Sequence, residues 1–285
     1  MKTAAQICWR LGRTLVLLAL VAVGTILLMR FAPGYFSDSR EMDAKYAQRE
    51  QTELHQEEAT SGTFAQLAKS TFGGWLHGDL GSSRQYGVPV TELVGPRLHV
   101  TVMLLLRGLV FGWALAVCTA FPVSLWRNGQ TLAGMPFTLL LAIPTGAMAT
   151  LCLLADMGGP VLVLSLLLAA RDFKFLQRVF QSAWTAPHLL QARAQGMRFH
   201  RLAVAHLLPN VVPHILGLAT LSIVTALSAI VPIEVIFNVP GLGQLAWSAA
   251  MNRDLPVLLT ITLLMAAAVS CAGMIAPRER MVQTA

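Results

Sequence analysis

The chain of 285 residues is too apolar for a soluble domain. Apolar residues make up 55% of it, charged residues only 12%, and the mean hydropathy is +0.61. A net charge of +7 and an isoelectric point near 9.7 are compatible with nucleic-acid binding, but the cations cluster beside apolar runs, which is typical of membrane topology signals. Composition therefore predicts an integral membrane protein and excludes a soluble enzyme.

The first predicted element is a membrane span over residues 11–29. The run is long enough to cross about 30 Å of hydrocarbon, and Lys2, Arg10 and Arg13 precede or begin it. A signal peptide has the same general pattern, but this run is longer than a typical apolar region of one and ends without a small-x-small cleavage site. We therefore expect a span that is retained.

Residues 33–97 are mainly polar, and acids alternate with bases over 36–70. This pattern predicts a solvated, helical hairpin outside the membrane. Near its end, Asp79 and the glycines beside it predict a tight turn, and Pro89 and Pro96 bracket a short amphipathic piece at the membrane interface.

Five further spans are predicted downstream. They cover residues 99–125, 133–155, from 158 past 171, 211–237 and 257–276. Pro136 and Pro144 interrupt the second of these five, residues 126–129 form a short turn, and residues 238–256 form an outer loop. Six spans in total place both termini on one side of the membrane.

Charge distribution assigns that side. With the N-terminus inside, the inner segments hold twelve cations and two acids, whereas the two short outer connections hold one cation, Arg253, beside two acids. The excess of Lys and Arg on inner segments predicts that both termini and the loop at 183–210 are cytoplasmic.

That loop contains Gln191-Ala192-Arg193-Ala194-Gln195-Gly196, followed by Leu208-Pro209. Small side chains let a short helix lie close in a groove of a partner, and the glycine permits the turn that ends the helix. The pattern resembles the loop that docks the ATPase in permease subunits of ATP-binding-cassette importers. The loop departs from that pattern at Gln195, where the family tends to have a lysine. An ordinary surface helix-turn is the alternative interpretation.

Two other stretches resemble the dipeptide, oligopeptide and nickel branch of these permeases. One is Gly78-Asp79-Leu80-Gly81-Ser82, and the other is Glu234-x-x-Phe237-x-x-Pro240-Gly241-Leu242-Gly243 with Arg253-Asp254-x-Pro256-Val257 downstream. The helix breakers Pro240, Gly241 and Gly243 predict a hairpin that acts as an outer lid or gate, or alternatively a purely structural re-entrant turn.

The resemblance implies an all-helical type-1 importer permease with a cytoplasmic coupling helix, in a bacterial inner membrane. Its implied partners are two ATPase subunits, a second homologous permease and an extracytoplasmic solute-binding protein. Peptides are the implied solute, with nickel or another small solute as lesser options. The positions carried over to ATPase docking are Ala192, Arg193, Ala194, Gly196 and Pro209. The alternative is a membrane scaffold or orphan subunit that docks an ATPase without transport.

The sequence predicts no catalytic residue, metal site or cofactor. No Gly-x-x-x-x-Gly-Lys-Ser/Thr stretch is present, so ATP hydrolysis is expected on a separate subunit. No span carries paired catalytic groups, and the four cysteines lack the spacing of a zinc site. The predicted organisation is a first span with its polar segment at 1–97, a five-helix permease core at 98–280, and a tail at 281–285.

Two ionisable residues fall within predicted spans. Arg107 lies about 12 Å inside its span by helical rise, and Glu234 lies near the outer end of another. Because both are costly in lipid, we expect them to face protein or a water-filled path. Arg107 could line the path or pair with Glu234. A structural ion pair or a snorkelling arginine is the alternative.

Overall fold

The computed structural model describes residues 2–31, 73–74, 80–83, 85–125, 130–252 and 254–275. Regular structure within these residues is helical apart from one isolated antiparallel bridge between Ser82 and Pro89. The predicted features at 36–70, at Asp79, at 126–129, at Arg253 and in the tail after 275 lie outside the described residues.

Ten α-helices and one π-helical turn are defined in the described part of the chain. They are α1 (Lys2–Phe31), α2 (Val90–Leu125), α3 (Gln130–Ala142), α4 (Thr145–Leu154), α5 (Pro160–Trp184), α6 (Pro187–Ala194), α7 (Phe199–Leu202), the π turn (Ala203–Leu207), α8 (Leu208–Ile236), α9 (Leu242–Met251) and α10 (Leu255–Ile275).

Three stretches of helix among the described residues are long and apolar enough to cross a membrane: Val90–Leu125, Ala203–Ile236 and Leu255–Met274. The predicted interruption at Pro144 is present, because Ala133–Ala142 and Thr145–Leu154 meet at 99° and form either a broken span or a re-entrant loop. Gly12–Leu28 is a shorter apolar helix. The model thus gives three spans, or four with the bent pair, and the six predicted spans stay a prediction.

Two element boundaries differ from those predicted. The span expected to begin at residue 99 is part of a helix that begins at Val90, so the stretch between Pro89 and Pro96 is continuous with the span. Its place at the membrane interface stays a prediction. The predicted outer loop at 238–256 contains helix α9, since Gly241 in extended conformation precedes a new helical turn.

The chain divides into two compact units. The first unit comprises Met1–Val100 and Pro240–Ser270. Its described core joins the start of α2, helix α9 and the start of α10 through Val90, Val94, Leu242, Leu245, Ala249, Val257 and Ile261. A second cluster packs Ala22 and Ile26 of α1 against Leu259 and Leu263 of α10.

The second unit comprises Thr101–Val239 and Cys271–Ala285. Glycine permits a close approach of α2 to α5 there, because a Cβ atom placed on Gly108 would lie 2.4 Å from Cδ2 of Leu164. Aromatic pairs fill the same core. The rings of Phe137 and Phe173 stack at 4.0 Å, and those of Phe121 and Phe180 meet edge to face at 5.5 Å. The predicted division into 1–97, 98–280 and 281–285 stays a prediction.

Candidate functional site

The segment between α5 and α8 contains the short helix that the sequence predicted. Helix α6 starts at Pro187, a residue suited to a first helical turn because its missing N–H needs no partner there. Leu189 and Ala192 are one helical turn apart, and both are buried in the core of the second unit. Ala194 is exposed. Helix α6 is therefore held by one face and presents another.

Gly196 ends helix α6. Its φ is +78°, in the left-handed region that glycine adopts without penalty. The amide of Met197 donates to the carbonyl of Ala192 at 3.4 Å, which is the six-residue bond of a Schellman cap. Since Gly196 is exposed and a Cβ on it would meet nothing within 4 Å, the glycine serves the turn and not internal packing.

The turn faces a basic cavity. A space of about 410 Å³ is lined by Gln195, Gly196, Met197, Arg198 and Arg201. Both arginines are exposed. No Asp or Glu occurs between Pro187 and Asn210, so the surface around the turn is cationic.

The return to α8 passes through a π-helical turn that the sequence interpretation missed. Over Ala203–Leu207 the helix widens, and the amide of Leu208 donates to the carbonyl of Ala203, five residues earlier. Pro209 follows in the first turn of α8 and is exposed. Because proline has no N–H to donate and its ring crowds the preceding turn, it is the local signal that could have indicated the change in helical pitch.

Arg107 and Glu234 are not brought together. Glu234 is fully buried, and its Oε1 accepts a hydrogen bond from Oγ1 of Thr101 at 2.7 Å. Arg107 follows Thr101 by six residues, which places it about 120° away around α2. It lies on the exposed face of that helix. The hypothesis that these two residues pair within one chain is therefore wrong.

The predicted gate residues separate into a turn and a helix start. Asn238 has a φ of +51°, and the amide of Val239 donates to the carbonyl of Glu234 at 2.9 Å, which closes α8. Pro240 is exposed. Gly241 and Gly243 are buried at the start of α9, where the amide of Leu245 donates to the carbonyl of Gly241. The two glycines lie at the start of a helix, and the predicted hairpin and its role as an outer gate stay a prediction.

A polar clamp fixes the loop before α2 in the first unit. Oδ2 of the fully buried Asp254 accepts hydrogen bonds from the hydroxyl of Ser83 and from the amide of Gln85. The amide of Tyr86 in turn donates to Oγ of Ser83 at 3.0 Å. Ser248 of α9 donates to Oε1 of Gln85 at 3.3 Å. Sequence reasoning quoted Asp254 only as part of a motif and did not foresee this clamp.

Comparison with known proteins identifies the chain. Residues 108–278 match the model of a family described as binding-protein-dependent transport system inner membrane component. That match covers more than half of the chain. The chain belongs to this family.

Curated relatives extend the similarity beyond the family model. The permease is 26% identical over 306 residues to the oligopeptide transport system permease protein AppB of Bacillus subtilis, with 96% of each chain covered. It is 28% identical over 224 residues to a peptide permease protein of Brucella ovis, covering 68% of this chain and 70% of the relative. It is 28% identical over 206 residues to the glutathione transport system permease protein GsiC of Pectobacterium atrosepticum, covering 64% and 66%.

The resemblance to importer permeases inferred from three short motifs is thus confirmed. The permease is a multi-pass component of the inner membrane, and its family consists of transport components. Of the residues predicted for ATPase docking, Ala192, Arg193 and Ala194 lie in α6, and Gly196 ends it. Pro209 lies in the first turn of α8, after α7 and the π turn. Their role in docking stays a prediction.

Proposed function

We propose that this permease forms half of the translocation path of an ATP-driven, binding-protein-dependent importer of peptides. The complete complex contains two ATPase subunits, a second homologous permease and an extracytoplasmic solute-binding protein. Peptides are favoured over nickel or another small solute because the relatives are named as oligopeptide, peptide and glutathione permeases. Family membership of residues 108–278 supports the importer assignment.

In this proposal α6 is the coupling helix, and both termini are cytoplasmic together with loop 183–210. The charge bias on the inner segments supports that orientation. Six spans then include α1 and α5. Helix α5 is less apolar than the others because Arg171, Asp172 and Lys174 interrupt it.

The exposed turn of α6 carries the proposal. Ala194 and Gly196 present almost no side chain to solvent, whereas the buried side chains of Leu189 and Ala192 anchor the helix to the core. A partner can therefore approach the backbone closely without displacing bulky groups. ATP binding and hydrolysis take place on the partner subunits.

The path or outer gate is proposed at Arg107, Glu234, Pro240, Gly241 and Gly243. An arginine on the exposed face of α2 is costly against lipid, so Arg107 faces either the second permease or a water-filled path. Glu234 is held by Thr101 and fixes the end of α8 from within the protein.

Co-purification of the tagged permease from native membranes in mild detergent tests this proposal. The native chain should bring an ATPase, a second permease and a solute-binding protein. An Ala194→Asp variant should lose the ATPase, because a charged side chain then projects from the docking face. Its fold should be retained, since Ala194 is exposed and such surface changes usually alter stability by less than about 0.5 kcal/mol.

Ala250→Asp is the matched control. Ala250 is also an exposed alanine in the last turn of a short helix, α9. The substitution therefore introduces the same charge at a position far along the chain from α6. That variant should keep the ATPase. Absence of any ATPase from the native preparation would refute the importer proposal and favour a scaffold or orphan subunit.

A further inference from the structure

Two adjacent residues of α5 contact two adjacent residues of α8 through polar groups in the second unit. Nη1 of Arg171 donates to the carbonyl of Leu221 at 3.1 Å. The hydroxyl of Ser222 donates to Oδ2 of Asp172 at 2.7 Å. We call these four residues the polar clasp. It crosses from one long helix to another in a region whose other contacts are largely apolar.

The acidic part of the clasp is unusual in its burial. Asp172 and Ser222 are both fully buried, and Oδ1 of Asp172 has no hydrogen-bond partner among the described residues. Burying a carboxylate with one oxygen unpaired costs free energy that an apolar side chain would avoid. Asp172 therefore calls for an explanation beyond simple stability.

The clasp lies at a similar distance along α5 and α8 from the segment that connects them, residues 185–207, which we call the α6 segment. Asp172 precedes the end of α5 at Trp184 by 12 residues, and Ser222 follows the start of α8 at Leu208 by 14 residues. At 1.5 Å per residue both arms are about 18–21 Å long. Helices α5 and α8 therefore run as two arms of matching length from the clasp to the segment.

One apolar cluster connects these arms to helix α6. Leu176, Phe180 and Trp184 of α5 share one buried cluster with Val211 and Leu218 of α8. The same cluster contains the buried residues of the α6 segment itself, Leu189, Ala192, Leu202 and Leu207. A displacement of α6 is thus transmitted along both arms, since packed interiors deform little.

From this arrangement we infer that Ser222 and Asp172 are positioning residues for transport. They lock α5 to α8 at the far end of the arms, so that a movement imposed on α6 shifts both helices together and does not slide one past the other. Apolar packing alone permits such sliding, whereas a buried hydrogen bond fixes the relative position of two helices. This inference rests on the proposed docking of an ATPase at α6.

Ser222→Ala tests the clasp because it removes the donor and keeps the small size of the side chain. Its matched control is Ser228→Ala on the same helix, since the hydroxyl of Ser228 is exposed and donates to the carbonyl of Val224 in its own helix. Asp172→Asn is the conservative variant because it keeps an acceptor oxygen for Ser222.

Spin-label distances in the purified complex provide the measurement. Labels are placed at Gln191→Cys on α6 and at Leu221→Cys, both exposed positions, after replacement of the four native cysteines by serine. Leu221 belongs to the clasp through its backbone carbonyl, which the substitution keeps. The native distance should be the same without nucleotide and with ATP and vanadate. In Ser222→Ala it should differ between these states by roughly 2 Å, the size of a helix shift. Ser228→Ala and Asp172→Asn should behave like the native chain.

A native distance that itself changes between the two states, or a Ser222→Ala distance that stays constant, would overturn the inference. If Ser222→Ala fails to assemble, Asp172→Leu replaces it. That variant removes the acceptor but keeps the branch at Cγ and the number of side-chain heavy atoms, and the hydroxyl of Ser222 retains the carbonyl of Leu218 at 2.9 Å as its acceptor. A constant distance in Asp172→Leu equally overturns the inference. Failure of the proposed function is recognised separately, since no ATPase would then co-purify with the native chain.

Discussion

Two short helices, α6 and α9, follow the long helices α5 and α8 in this permease, and they are held in different ways. At the start of helix α9, Gly241, Gly243 and Leu245 are buried, and the polar clamp at Asp254 fixes the segment that follows the helix. Among the side chains of helix α6 that the structure describes, Leu189 and Ala192 are buried, and the glycine turn that follows them is exposed. Both segments carry family-like motifs, but the α6 motif leaves Ala194 and Gly196 exposed, whereas Gly241 and Gly243 of the other motif are buried.

This difference separates two uses of glycine. Gly241 and Gly243 are buried at the start of α9, in a close-packed interior that leaves little room for added atoms. Gly196 has no neighbour within reach of a Cβ and is required by its φ of +78°. A glycine in a motif therefore indicates packing in one segment and backbone conformation in the other.

Of the substitutions that test this comparison, loss of the core packing under α9 should lower the free energy of unfolding most. Leu245 is fully buried, so Leu245→Ala should lower the free energy of unfolding by about 2–5 kcal/mol, measured by denaturant titration in detergent. Trp247→Ala is the control on the same helix. Its side chain is larger but 53% exposed, so its loss should be smaller. Equal losses would mean that α9 is not anchored through Leu245.

Removal of the polar clamp should cause the second largest loss of unfolding free energy. Asp254→Ala leaves the hydroxyl of Ser83 and the amide of Gln85 without their acceptor, and should cost about 2–3 kcal/mol of unfolding free energy. Asp254→Asn keeps an acceptor oxygen and should cost less. Combining Asp254→Ala with Ser83→Ala should cost less than the sum of the two, and strict additivity would argue against the clamp.

Gly196→Ala should have the smallest effect on stability of the three. Forcing an alanine to a left-handed φ costs about 1–2 kcal/mol, although no neighbour obstructs its methyl group. Gly217→Ala in the middle of α8 is the same chemical change in a helical conformation, and it should stabilise by about 0.5–1 kcal/mol. Thermal unfolding in detergent compares the two, and a shift of the same sign in both would contradict this account of Gly196.

Much of this permease was predictable from local sequence. The long apolar runs located α2, α8 and α10 because the length of a run sets whether a helix can cross a bilayer. Pro144 located the break between α3 and α4, and Gly196 located the end of α6, because both residues act through their own backbone torsions. Three spaced motifs were enough to indicate the transporter family.

Tertiary structure decided the rest. The motif predicted the same docking role for Ala192 and Ala194, but packing buries Ala192 and leaves Ala194 exposed. Likewise Glu234 bonds to Thr101 and not to Arg107, and Asp254 finds Ser83 across 171 residues of chain. The physical reason is the range of each effect: torsional limits and run length belong to neighbouring residues, whereas the partner of a buried polar group depends on which helices pack together.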